Sequence, residues 1–354
     1  MTRKPMRAGA ALPYAGPLIA LTLTSAPLPL LAQAERFALP GQEIAIYNIA
    51  GEVQIERGTG DAVEVLVSRG GSDAAQLRIA TGQIDGRNTL RVIYPDDEVR
   101  YERRWGGNTS MRVRSDGTFG AGGRRVNVRS RGRGGLEAHA DLRILIPDGR
   151  RVAVLLGVGG VEAANVVGDL VVDVAAAGVE VRGVRGALLV DTGSGSITVA
   201  DVQGEVGIDT GSGSVEVSVI RGSRLRVDTG SGSVRGNDLT TDDLSVDTGS
   251  GRIELSAVSA RRLVLDTGSG SIDLGLLSDV ESARLDTGSG SVRLRVPAEL
   301  GAELEIETGS GGIDVDVPVE VARMARNSFV GRIGDGVGRI VVDTGSGGVR
   351  LVRN

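Results

Sequence analysis

The hexapeptide Asp-Thr-Gly-Ser-Gly-Ser, or a close copy of it, begins at residues 191, 209, 228, 247, 266, 286, 307 and 343. A unit of that size copied in tandem means stacked coils, each covering its neighbour. The intervals are 18, 19, 19, 19, 20, 21 and 36 residues. The last is nearly twice the others, which leaves room for one disguised copy near residue 326. Degenerate copies, LLGVGG at residue 155 and DVAAAG at residue 173, extend the series upstream. The expectation is about eleven coils from roughly residue 150 onward.

The apolar positions say what each coil is made of. Leu188 and Val190, Leu225 and Val227, Leu263 and Leu265, and Ile340 and Val342 stand three places and one place before a motif Asp. The alternation resumes after the motif with Ile197 and Val199, Val215 and Val217, Ile253 and Leu255, Ile272 and Leu274, and Ile313 and Val315. Period two is the signature of strands with one buried face. Each coil therefore reads as a short strand, a Gly-Ser-Gly corner, a second strand and a looser return turn, with the motif Asp outside and the Thr inside. The expected fold class is all-β, a β-solenoid of 18–21-residue coils. Only 3 Phe, 4 Tyr and 1 Trp accompany 55 Gly, which suits a thin core of Val, Leu, Ile and Ala.

Four regions follow along the chain. Residues 1–34 read as a secretory signal: Arg3, Lys4 and Arg7 precede an apolar stretch from Ala8 to Leu31, and Ala32-Gln33-Ala34 fits a small-x-small cleavage site. Export to the periplasm, cell surface or medium is expected, with no membrane span after cleavage. The chain has no Cys, so ladder hydrogen bonds and stacking must do the work of disulfides. Residues 35–97 alternate as strands do and read as an N-terminal β cap or as the first coils. Residues 98–135 carry ten Arg against two Glu and one Asp, and residues 136–354 hold the repeats.

The Arg-rich stretch reads as a disordered insertion whose removal leaves the solenoid folded, or as a site for a polyanion. For the second reading the candidate contacts are Arg100, Arg103, Arg104, Trp105, Arg112, Arg114, Arg124, Arg125, Arg129, Arg131 and Arg133. Guanidinium forks pair with phosphate and carboxylate, and rings stack on sugars or bases. The partner of an exported chain would be an envelope or extracellular glycan, a lipid head group or a protein, and end-to-end self-association is a further expectation.

Three chemistries are suggested by the motifs. Apolar-apolar-Asp-Thr-Gly-Ser is also the sequence around the catalytic Asp of aspartic proteases. That reaction needs two carboxylates sharing a proton across a cleft, whereas copies at fixed spacing stack along one face. Asp191, Asp209, Asp228, Asp247, Asp266, Asp286, Glu307 and Asp343 are read instead as structural corners, where Asp accepts backbone N–H groups in an Asx turn and Gly supplies positive φ. Such a column of like charge invites calcium, but one carboxylate per 19-residue coil is sparser than the nine-residue calcium β-roll pattern, and Thr, Ser and backbone amides offer hydrogen bonds in place of metal. No cofactor or metal site is expected. A glycan-cleaving β-helix enzyme would carry its catalytic groups on irregular loops, and no coil here has a long insertion. His139, the single His, leaves no material for a His-based triad or zinc site.

Several of these features occur together in a known family. The segments IAIYNIAGEVQIERGTGD and LRILIPDGRRVAV, the serial DTGSGSIxV units and GRIGDGVGRIVVDTGSGG make the chain similar to the bacterial DUF4097 family, over roughly residues 40 to 354 apart from the Arg-rich stretch. The resemblance implies a β-strand repeat fold and a cell-envelope role; the family carries an adhesin label and no catalytic residues. The expected function is therefore non-enzymatic adhesion or envelope binding. A periplasmic structural or stress-sensing protein and a polysaccharide-active enzyme are the alternatives.

Overall fold

The computed structural model describes residues 34–102, 107–132 and 134–354. The expected export signal lies outside the described residues save for Ala34, as do Arg103, Arg104, Trp105 and Arg133.

The chain is a β-solenoid. Successive repeats pair in parallel and in register, so that Val190 sits beside Ile208, Ile208 beside Val227, Val227 beside Val246, Val246 beside Leu265 and Leu265 beside Leu285. All are buried. A slip of one residue would turn this entire column outward, so the apolar alternation fixes the register.

Each coil has three inward-facing runs. After the strand that follows the motif, one residue takes left-handed backbone angles: Asn165, Asp201, Val219, Asp238 and Ala257 have φ between 52° and 58°, and Gly183 has φ 69°. The next residue then points into the core, and Val166, Val184, Val202, Ile220, Leu239 and Val258 are all fully buried.

The long interval does not hold a disguised coil. Residue 326 lies in a hairpin between Glu320–Met324 and Ser328–Ile333, which pair antiparallel. Ser328–Ile333 in turn runs antiparallel to Ala302–Thr308. The chain then doubles back. Gly338–Thr344 inserts between Ser282–Thr287 and Ala302–Thr308, parallel to both, and Val349–Arg353 inserts likewise between Val292–Val296 and Ile313–Asp316. The order in the stack is therefore Asp286, Asp343, Glu307. Sequence spacing carries no sign of this, because the strands on either side share one pattern.

Residues 35–97 contribute strands to the same sheet as the repeats. Glu43–Arg57 pairs along most of its length with the start of Arg150–Arg185 and is a coil of the solenoid. Beyond it, His139–Ile146 and Arg87–Ile93 continue the parallel stack, and antiparallel strands then close it: Ala62–Gly70 and Glu35–Pro40 on one side, Arg78–Ile84 on the other. Reversing strand direction in this way ends the parallel ladder that an open solenoid would present.

The described residues of the Arg-rich stretch fold as strands and turns, contrary to the expectation of a disordered insertion. Glu98–Arg100, Asn108–Val113 and Arg124–Arg129 form a second sheet. Its inner face contributes Val99, Val113, Val126 and Val128 to the core, with Tyr101 just beyond. Phe119 meets Tyr47 edge-on, with centroids 5.7 Å apart. Removing this segment would uncover the first coils, so it is part of the folded body.

Candidate functional site

The motif corners come first, since they dominate the sequence. The motif Thr side chains are buried, and five of them tie two coils together. Thr248 Oγ1 donates to the Gly232 carbonyl of the preceding coil at 3.0 Å and accepts from the Gly251 amide of its own corner at 3.0 Å. Thr229, Thr267, Thr287 and Thr344 repeat the arrangement. The glycines are required by close approach: a Cβ on Gly251 would lie 1.8 Å from the Gly232 oxygen, and one on Gly249 2.4 Å from the Gly230 oxygen. Of the motif glycines only Gly195 has φ in the left-handed region, so the expected positive-φ role is replaced by backbone stacking. Nor does Asp make the expected Asx turn. Among the described residues no backbone amide donates to a motif Asp, and Thr holds the corner instead.

The Asp side chains form an external column. Asp173, Asp191, Asp209, Asp228, Asp247, Asp266, Asp286, Asp343 and Glu307 are consecutive partners in the ladder. Arg284 meets Asp286 at 2.8 Å and Arg226 meets Asp228 at 3.6 Å. Partial burial, with the neighbouring carboxylate second, pushes the carboxyls of Asp173, Asp191 and Asp266 above the usual range. Among the described residues no three His, Cys, Asp or Glu side chains converge on a metal-sized site.

The second charged face is the outer side of the Arg-rich sheet. Period-two alternation sends Arg112 and Ser110 outward from one strand, Arg125, Asn127 and Arg129 from the next, and Glu98 and Arg100 from the third. Ladder pairing sets them in rows: Arg112 beside Arg125; Ser110, Asn127 and Glu98 together; Asn108, Arg129 and Arg100 together. Arg129 meets Glu98 at 3.1 Å, Asn127 donates to Glu98 at 2.7 Å, and Arg100 pairs with Glu137. Arg124 turns away to Asp97 and the Tyr94 carbonyl. Arg114 donates to Thr118 Oγ1 at 3.2 Å and to the Phe119 carbonyl at 3.1 Å, and Arg131 is exposed just past the last strand. Arg114 also acts on the nearby Asp116 carboxylate, and Arg112 donates to the Gly123 carbonyl at 3.4 Å, while Arg112, Arg125 and Arg131 have no ion-pair partner among the described residues. The polar middle row was missed by a reading that counted only arginines; the alternation SxRxR at 110–114 and RxNxR at 125–129 was its signal.

Tyr94 and Tyr101 are buried, not displayed. Tyr94 donates to Asn48 and Ala50 at 3.0 Å, and its burial pushes the phenol far above its ordinary range. His139 packs edge-on against Tyr101 and lies 3.9 Å from Asp141. A cleft beside the closing hairpin contains Glu303, Glu305, Glu320, Arg332 and Arg339, and its charges are engaged as Arg332–Glu320 and Arg339–Glu305 pairs.

The family profile described as Toastrack DUF4097 matches residues 106–352. The chain belongs to the DUF4097 Toastrack family. The Toastrack match takes in the Arg-rich strands from Asn108 onward as well as the coils, whereas residues 40–105 fall outside it. No curated protein matches this Toastrack chain. Among solved structures it is similar to a "putative cell adhesion protein" from Clostridium sporogenes, at 9% identity over 91% of this chain and 100% of that one, with a TM-score of 0.21. That likeness is too slight to carry a fold or functional argument.

Proposed function

We propose that this Toastrack protein is an exported, non-enzymatic β-solenoid whose outer faces bind at the cell surface or within the envelope, in adhesion or attachment. The observation that carries the reading is the outward column Thr198, Glu216, Arg235, Glu254, Asp273, Arg293, Arg350 and Asp314, whose members are consecutive ladder partners. Strand spacing sets such side chains about 4.8 Å apart on a continuous face, and their chemistry changes from coil to coil. A surface of that kind recognises an extended partner by many weak contacts. In the cleft beside the closing hairpin Glu320 and Glu305 are held by Arg332 and Arg339, which speaks against a free acid pair for catalysis there. Export is supported by the basic, apolar and small-residue order of residues 1–34, and no helix of the described residues is long and apolar enough to cross a membrane.

Protease shaving of intact cells, with immunodetection of the chain and a periplasmic protein as leakage control, tests the reading. Loss of the chain while the control survives is expected for surface display. Protection until the outer layer is opened would retire adhesion in favour of an internal scaffold or stress sensor.

A further inference from the structure

The geometry points to an anion-binding face on the Arg-rich sheet that takes an acidic polysaccharide. The inference rests on the exported binding role proposed above and names a ligand class for it.

The argument begins with a cost. Arg112 and Arg125 are direct cross-strand partners, and both are exposed on the same side of the sheet. Facing residues in an antiparallel pair bring their Cβ atoms within about 4.5–5.5 Å, where like charges destabilise. Other arginines on the solenoid are answered by acids: Arg262 has Asp243 at 2.6 Å, Arg261 has Glu281 at 2.5 Å, Arg221 has Asp238 at 2.6 Å, and the adjacent Arg293 and Arg350 are flanked in the ladder by Asp273 and Asp314. No carboxylate of the described residues answers the Arg112–Arg125 pair. An external anion would relieve the repulsion, and two adjacent guanidinium forks suit carboxylate, sulfate or phosphate oxygens in a way that ammonium groups do not.

The rest of the face chooses among polyanions. Beside the pair lie Ser110 and Asn127, then Asn108 and Arg129, in rows about 7 Å apart along the strand; Glu98 already takes one hydrogen bond from Asn127 and pairs with Arg129, so Ser110, Asn108 and the remaining donors of those two side chains supply the hydrogen-bonding groups. That layout suits a chain carrying hydroxyls between its charges. Nucleic acid would call for ring platforms, but among the described residues of this region Tyr94 and Tyr101 are buried and Phe119 packs against Tyr47. A bilayer surface would call for apolar side chains among the basic ones, and Val99, Met111, Val113, Val126 and Val128 all point inward. The outer side chains of the sheet are exposed along the strands, so it accepts the middle of a long polymer as readily as its end.

The test compares binding of the purified protein to immobilised polygalacturonate and dextran sulfate, with neutral dextran, a single-stranded oligonucleotide and anionic phosphatidylglycerol vesicles alongside. The variants are Arg112→Ser/Arg125→Ser, the charge-keeping Arg112→Lys/Arg125→Lys, and Arg261→Ser/Arg262→Ser as a control of equal charge. The expected result is saturable, salt-sensitive binding to at least one acidic polysaccharide and none to dextran, weakened about tenfold or more by the first variant, less by the second and within about twofold by the control. Preference for one polymer says whether the face takes carboxylate or sulfate. The Ser variant should melt no lower than the parent, which separates lost binding from lost folding. Equal binding by parent and Ser variant, equal binding to dextran, or tighter binding to the oligonucleotide or the vesicles would each overturn the proposal. Shaving and binding fail separately: a protected chain that still binds acidic polysaccharide retires surface adhesion and keeps this site.

Discussion

Replacing Thr248 by Val should destabilise the solenoid more than replacing it by Ser, although Val is the better strand former. Thr248 is completely buried and makes two hydrogen bonds at 3.0 Å, one to each of two adjacent coils. Val keeps the shape and removes both, stranding the Gly251 amide and the Gly232 carbonyl. A buried group left without its partner costs about 1–3 kcal/mol. The carbonyl belongs at the lower end of that range, so the pair sums to roughly 2–4 kcal/mol. Ser keeps both hydrogen bonds and loses one methyl, about 1 kcal/mol with a small addition for the cavity. Equilibrium unfolding in guanidinium followed by far-ultraviolet circular dichroism should rank the midpoints parent, Ser, Val. Hydrogen exchange should show the Gly251 amide losing protection in the Val variant and keeping it in the Ser variant. A Val variant as stable as the Ser variant would mean that packing, not the hydroxyl ladder, selects Thr, and would refute the account of the motif.

Three further outcomes follow from other parts of the molecule. Val219 is a β-branched residue at φ 53°, where its column otherwise holds Asn, Asp, Gly or Ala, so Val219→Asn should raise stability by about 1 kcal/mol in the same denaturation assay. A chain ended after residue 337 loses the coil that both Ser282–Thr287 and Ala302–Thr308 pair with; limited proteolysis should then cut between residues 297 and 337, where the parent resists. The raised carboxyl of Asp191 means that the folded state favours its protonated form, so this group opposes folding above its folded pKa and ceases to do so as pH falls below its unfolded value near 4. Asp191→Asn should therefore melt higher than the parent at pH 7, with the difference closing as pH falls toward about 3.5; a difference that widens on acidification would contradict the charge-column account.

Much of the fold was legible because the two signals that specify it are both local. Alternation of Val, Leu and Ile gave the buried faces, and the 18–21-residue interval gave the register. The parts that escaped involve choices between equivalent partners. Ala302–Thr308 and Gly338–Thr344 offer the same apolar edge to Ser282–Thr287, and nothing in their side chains tells which lies adjacent. In the Arg-rich stretch the alternation was present, at Val99, Val113, Val126 and Val128, but the density of Gly and Arg between these residues disguised strands as linker. The role of Asp and Thr in the corner was exchanged for a related reason. Both can cap a turn, and only the stacking of coils shows that the inward Thr has a second carbonyl within reach.

The doubled-back coil bears on how the protein is made. A ribosome delivers Ala302–Thr308 before Gly338–Thr344, yet the later segment belongs between the earlier one and Ser282–Thr287. Until it arrives, the growing rod has a vacant slot with an unsatisfied ladder on each side, open to the neighbouring strands of other chains. A message broken between residues 308 and 338 would thus yield a product with both raw edges showing, whereas synthesis of residues 338–353 seals them in one step. Placing a later-made coil between two earlier ones makes the arrival of residues 338–353 a condition for a closed stack.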